Sequence, residues 1–306
     1  MTARDLPAGL LRDAREVVRR TGSALSGRDL AAAAAATTYF SGIAVVPWLL
    51  LATWTATWPF GGAGSVRAGR ARLLHLDVLV PDAMGARPAY VALVHAGTGL
   101  GLIAAVVVLF PASFYGEGLR RGCLALSPQH DALTGWKARL ALLPLVVVVA
   151  PVTWALLPVC DQLVDLTGVG PWAVVLRVLI GFTALWLALT VPLTWVFRQV
   201  APSHVSWPVA GFGALATASF LAGFLHGFQL FLTIPIDLGA PFGGLGVVGG
   251  VVAVGLWLYV LHTVVLVGWV ATVALQDLVD VRRAEAGRAA GLHGSTRAPR
   301  LRRGPA

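Results

Sequence analysis

Six apolar runs, each long enough to cross a bilayer and joined by loops of unequal arginine content, constrain this chain more than any other feature. A transmembrane helix needs about 20 mostly apolar residues, and the runs fall near 30–58, 92–115, 138–160, 172–197, 208–232 and 244–275. Barrel strands would run about 10 residues with alternating polarity, and no such alternation occurs. The expected fold is all-α, a polytopic transmembrane bundle of six spanning helices. With 57% hydrophobic and 12% charged residues among 306, the chain has too little polar surface for a water-soluble domain of this size.

Arginine and lysine bias predicts the orientation. Residues 1–28 carry Arg4, Arg12, Arg15, Arg19, Arg20 and Arg28, and the tail carries seven more arginines between Arg282 and Arg303. Both termini are therefore expected in the cytoplasm. The loops holding Arg120, Arg121, Lys137 and Arg139, and then Arg198, agree, whereas those holding Asp161, Asp165 and Asp237 contain no basic residue. Residues 59–91 run against the bias, being expected outside yet holding Arg67, Arg70, Arg72 and Arg87. Their Val66, Leu73, Leu74, Leu76 and Leu79 predict an external amphipathic helix with its arginines toward headgroups.

The first 28 residues lack the apolar core of a cleavable signal, so the first span is expected to remain as an anchor. Leu10, Leu11, Val17 and Val18 among arginines predict an interfacial helix held by anionic lipid. Residues 276–306 read as a basic, disordered cytoplasmic tail. The net charge of +9 is what inner loops require, and no RNA-binding module is legible. The expected partners are the bilayer and anionic lipids at the basic segments, not nucleic acid; self-association or an envelope-protein partner stays open.

Within the spans, small residues four apart (Ala32 with Ala36, Gly97 with Gly101, Gly223 with Gly227, Gly246 with Gly250) predict close helix approaches. Pro144, Pro151 and Pro158 fall seven apart, on one face of the third span. Each removes a backbone hydrogen bond, and freed carbonyls survive in lipid only against protein or water. A curved helix lining a cavity and simple kinked packing both satisfy this. Polar residues are costly in hydrocarbon, and His95, Arg177, His226 and Gln229 all map to the outer half. They form a candidate substrate pocket for an anionic group; the alternative is a snorkelling arginine and separate helix contacts. His262 lies deeper, near the middle of the last span. At the inner side Asp29, Glu117, Arg120, Arg121 and Arg198 form a candidate gate, or paired loop charges.

Enzyme signatures are missing. The seven histidines are dispersed, Cys123 and Cys160 fall on opposite membrane sides, and no phosphate loop, nucleophile elbow or dinucleotide fingerprint occurs. No catalytic residue, cofactor or metal is expected.

The end spans carry a family pattern. Asp29-Leu30, the alanines 31–36, Tyr39-Phe40 and Pro47 open the bundle, and Gly246, Trp257-Leu258-Tyr259, Val264 to Val267 and Gly268 close it. In these residues the chain resembles the YihY/BrkB family of bacterial inner-membrane proteins, with departures at Ala44, Trp269 and Val270. The resemblance implies a six-helix protein of the bacterial inner (plasma) membrane with both termini inside. Family members have carried a ribonuclease BN label, which the missing ligand cluster makes unfitting here; others are linked to virulence, serum resistance or export of lipid precursors. The expected function is transport or translocation of a lipid or other anionic amphipathic substrate, the alternative a non-transporting scaffold for envelope assembly.

Overall fold

The computed structural model describes residues 5–58, 63–80, 85–127, 134–168, 170–202, 204–234 and 236–295. Among these lie α1 (Asp5–Leu25), α2 (Leu30–Thr55), α3 (Ala63–His75), α4 (Ala86–Thr98), α5 (Leu102–Ala125), α6 (Thr134–Leu142), α7 (Pro144–Asp165), α8 (Pro171–Trp195), α9 (Trp207–Thr233) and α10 (Gly246–Ser295). Six apolar stretches are long enough to cross a membrane: Leu30–Thr55, Leu102–Ala125, Gly135–Asp165, Pro171–Val200, Trp207–Leu232 and Gly246–Arg288. Their alternating course brings α1 and the last turns of α10 to one end of the bundle, where Arg282 pairs with Asp13. That end is called the terminal end below, and the opposite one the far end. Ile103 and Val247 are each 83% exposed, as side chains that meet acyl chains can be.

Helices in lipid gain no hydrophobic advantage from touching each other, so close packing of small residues decides which faces meet. Between α9 and α10 the arrangement is reciprocal. A methyl group on Gly213 would collide with Thr272, and one on Gly268 with Thr217. Each threonine hydroxyl donates 2.7 Å back to the glycine carbonyl on its own helix, Thr217 to Gly213 and Thr272 to Gly268. Between α2 and α5, Gly118 lies under Phe40 and Gly122 against Thr37. Of the predicted small pairs, Gly97 is tightly packed, against Thr53, while Gly101, Gly223 and Gly246 face open space. Tryptophan indoles tie further helices together: Trp48 donates to Ala112 O, Trp154 to Thr55 O, Trp186 to Leu215 O and Trp195 to Ala141 O, at 2.7 to 3.0 Å.

The structure departs from the sequence expectations in four places. The run at 92–115 is two helices, because α4 ends at Gly99, with its N–H bonded to His95 O, and extended Gly101 starts α5. The span that follows reaches Ala125, ten residues beyond the expected end. In the third span Pro144 begins α7, where a missing N–H costs nothing, so the internal prolines are Pro151 and Pro158. The expected disordered tail is helical through Ser295, since α10 continues along α1; residues 296–306 lie outside the described residues. Finally, Leu73 and Leu76 pack on Ala56, Val94 and Leu157 rather than on lipid. Arg70 donates to Thr98 Oγ at 2.7 Å, and Arg72 to Asp161 at 3.0 Å, so these arginines turn to protein rather than headgroups.

Candidate functional site

A cavity of about 310 Å³ lies between α2, α5, α7, α8 and α10, within the size range of small-molecule sites. Its walls are carbon almost throughout: Ala44 and Val45 from α2, Leu145, Val148 and Val149 from α7, and Pro192 from α8. The proline-bearing third span thus lines a cavity. Polar groups enter from Ser41, Tyr115, Thr153 and His262. His262 is 3% exposed; its Nδ1 lies 2.7 Å from Leu258 O and 3.3 Å from Thr38 Oγ. The Tyr115 ring meets the imidazole edge-on at 5.7 Å between centroids.

A second, wider space of about 800 Å³ runs between α2 and α10 and under the segment Ile236 to Gly239. Gly42, Gly246, Gly250 and Gly255 make room for it, and Thr38 lies on its wall. Val45 and Leu258 line both spaces, so groove and cavity adjoin across one thin partition. Val247 and Val251, exposed on α10, put the groove mouth on the apolar outer surface.

The whole of this architecture from the last turns of α1 onward is covered by one family model, virulence factor BrkB, which matches residues 21–292. The chain belongs to the virulence factor BrkB family. It is a multi-pass membrane protein of a bacterial family. No curated protein and no solved structure matches it.

The BrkB motif positions divide between packing and cavity. Gly246 borders the groove, Gly268 is the close approach to Thr217, and Trp257 packs among Phe224, Phe228 and Phe231 with centroids 5.1 to 6.5 Å away. Pro47 lies inside α2, Tyr259 packs against the main core, and Tyr39 is 70% exposed on the outer surface.

None of the residues expected to form an outer pocket lines the cavity or the groove of this BrkB-family chain. His95 is exposed on α4. Arg177 on α8 and His226 and Gln229 on α9 belong to neighbouring helices, and the His226 ring contacts Phe182 at 5.7 Å while Nδ1 bonds Ala222 O at 2.9 Å. The expected inner gate also divides. Asp29 caps α2, accepting from Ala32 N at 2.8 Å. Arg198 sits in a π-helical turn, Val196–Val200, 5.7 Å from the Trp207 ring. Glu117 and Arg121 do pair, at 2.9 Å, and Arg139 joins them from α6 at 2.7 Å with its guanidinium 3.7 Å over Phe114.

Nothing in the sequence marks Tyr115, Thr38 or Ser41, because a single hydroxyl in an apolar run is ordinary helix composition. Among the described residues no group of three or more His, Cys, Asp or Glu side chains is placed to hold a metal ion.

Proposed function

We propose that this protein translocates a lipid-like amphipathic substrate across the bacterial inner (plasma) membrane, with both termini in the cytoplasm, and performs no catalysis. One observation carries the reading: an apolar cavity inside the bundle adjoins a groove that opens on the lipid-facing surface. A water-soluble solute would need polar walls, which this cavity lacks. Arg177, expected to hold an anionic group, does not line the cavity, so the apolar part of the substrate is what the cavity holds. The surplus of guanidinium over carboxylate in the Glu117, Arg121 and Arg139 cluster suits contact with anionic headgroups at the terminal end.

The test is flux of fluorescent phospholipid across proteoliposomes holding the full chain. Protein-bearing vesicles should exceed empty ones, and Ala44→Phe, which fills the cavity, should remove the excess while Arg177→Ala keeps most of it. Equal rates with and without protein would sink the proposal. Orientation is tested by reporter fusions at the C-terminus, which should report a cytoplasmic location.

A further inference from the structure

Two polar atoms at the wall of the central cavity lack a hydrogen-bond partner among the described residues. The first is Nε2 of His262. A carbonyl oxygen only accepts, so the 2.7 Å contact to Leu258 O places the proton on Nδ1, and Nε2 of the neutral ring is left as a lone-pair acceptor. The second is the hydroxyl of Tyr115, whose ring abuts the imidazole. Neither atom is spent on a hydrogen bond to a described residue, and two such groups on residues that line one apolar cavity mark where a ligand's polar group would sit.

The position of His262 adds a route. Thr38, 3.3 Å from Nδ1, lies on the wall of the α2/α10 groove, whereas the imidazole itself lines the cavity. The ring therefore stands in the partition between them.

We propose that His262 and Tyr115 receive the hydroxyl of a neutral long-chain lipid alcohol, which enters from the bilayer along the α2/α10 groove and lays its chain against Val45, Leu145, Val148 and Val149. A hydroxyl matches both atoms at once, donating to Nε2 and accepting from the tyrosine. An ester carbonyl only accepts, and would leave Nε2 unpaired. A phosphate or ammonium has no counter-ion in the cavity wall, and desolvation opposes its entry. The charged residue along the groove, Asp237, is at its far end, where Oδ1 accepts from Gly239 N at 2.9 Å. The inference rests on the reading that this cavity takes lipid, but not on net movement.

The experiment is photolabelling of the purified full chain in phosphatidylcholine nanodiscs with a hexadecanol analogue carrying a diazirine. Unlabelled hexadecanol should compete at roughly tenfold lower concentration than hexadecane or palmitate, the ratio expected for about one well-made buried hydrogen bond. His262→Leu and Tyr115→Phe should each weaken labelling by a similar factor, and His262→Gln, which offers an amide oxygen near the place of Nε2, should restore part of it. Tyr115→Phe removes only an unpartnered oxygen, so the test does not depend on whether His262→Leu folds. Equal competition by hexadecane or palmitate, or unchanged labelling of Tyr115→Phe, would overturn the assignment. Labelling as expected without phospholipid flux would defeat the translocation reading and leave this one standing. Flux with labelling indifferent to both substitutions would do the reverse.

Discussion

Gly268→Ala should be a damaging single-methyl change in the bundle, and its cost can be worked from the α9/α10 contact. The added Cβ would lie 2.7 Å from Thr217 Cγ2, where ordinary contact begins at 3.4 Å, and would meet Thr217 Oγ more closely still. Thr217 cannot swing away freely, because its hydroxyl is bonded to Gly213 O at 2.7 Å and the side chain is 3% exposed. The helices must therefore separate, and the loss spreads to the reciprocal contact of Gly213 with Thr272. Overpacking of this kind costs about 1–3 kcal/mol, and the constrained threonine puts Gly268→Ala at about 3 kcal/mol. Thr217→Ala alone removes a bond within one helix turn and a small volume, about 1 kcal/mol. In the double variant the clash is gone, so the two changes should be coupled by about 2 kcal/mol. The assay is reversible unfolding of the full chain in mixed micelles by a denaturing detergent. Unchanged stability of Gly268→Ala, or a double variant whose losses simply add, would refute the reciprocal packing.

Three further outcomes are expected. Glu117→Gln leaves two guanidiniums around a neutral amide and should cost about 3 kcal/mol, as breaking buried ion pairs does, measured in the same unfolding assay; loss below 1 kcal/mol would mean that water already screens the cluster. Tyr90 donates to Leu73 O at 2.7 Å, and burial pushes its hydroxyl from the ordinary 10.0 up to about 12. A raised pKa means the folded chain holds the proton longer, so this contribution is intact below pH 10 and lost as pH rises toward about 12. Tyr90→Phe should flatten that alkaline loss, read from thermal stability against pH. Asp13→Asn should release α1 from Arg282, at no more than about 1 kcal/mol because the pair is partly exposed, and hydrogen exchange should rise along α1 but not along α9.

The spans were legible because lipid demands long apolar runs, and the runs themselves carry that demand. Their boundaries were less so. Glu117, Arg120 and Arg121 look like loop residues, yet they lie inside α5 because Arg139 of a later helix meets Glu117, a pairing that neither segment announces alone. Similarly, residues 276–295 read as a solvated tail by composition but fold along α1, whose Asp13 comes 269 positions earlier. The site was the least legible part. His262 stood out as deep, but its neighbours Thr38 and Tyr115 sit on different helices, and only the packing of α2, α5 and α10 converts three scattered polar residues into one wall. His95, by contrast, shared an outer position with Arg177 in the sequence and yet sits on α4, because Gly99 and Gly101 break the run.

The interlocked glycines divide the molecule mechanically. Gly118 and Gly122 key α5 to α2, and Gly213 and Gly268 key α10 to α9, so each pair is stiff against sliding or tilting within itself. The groove runs along the seam where these blocks abut, and the side-chain contact spanning it among the described residues joins His262 Nδ1 and Thr38 Oγ. A rearrangement that keeps both interlocks intact must then open like a hinge along that seam, with the imidazole changing partners as it parts.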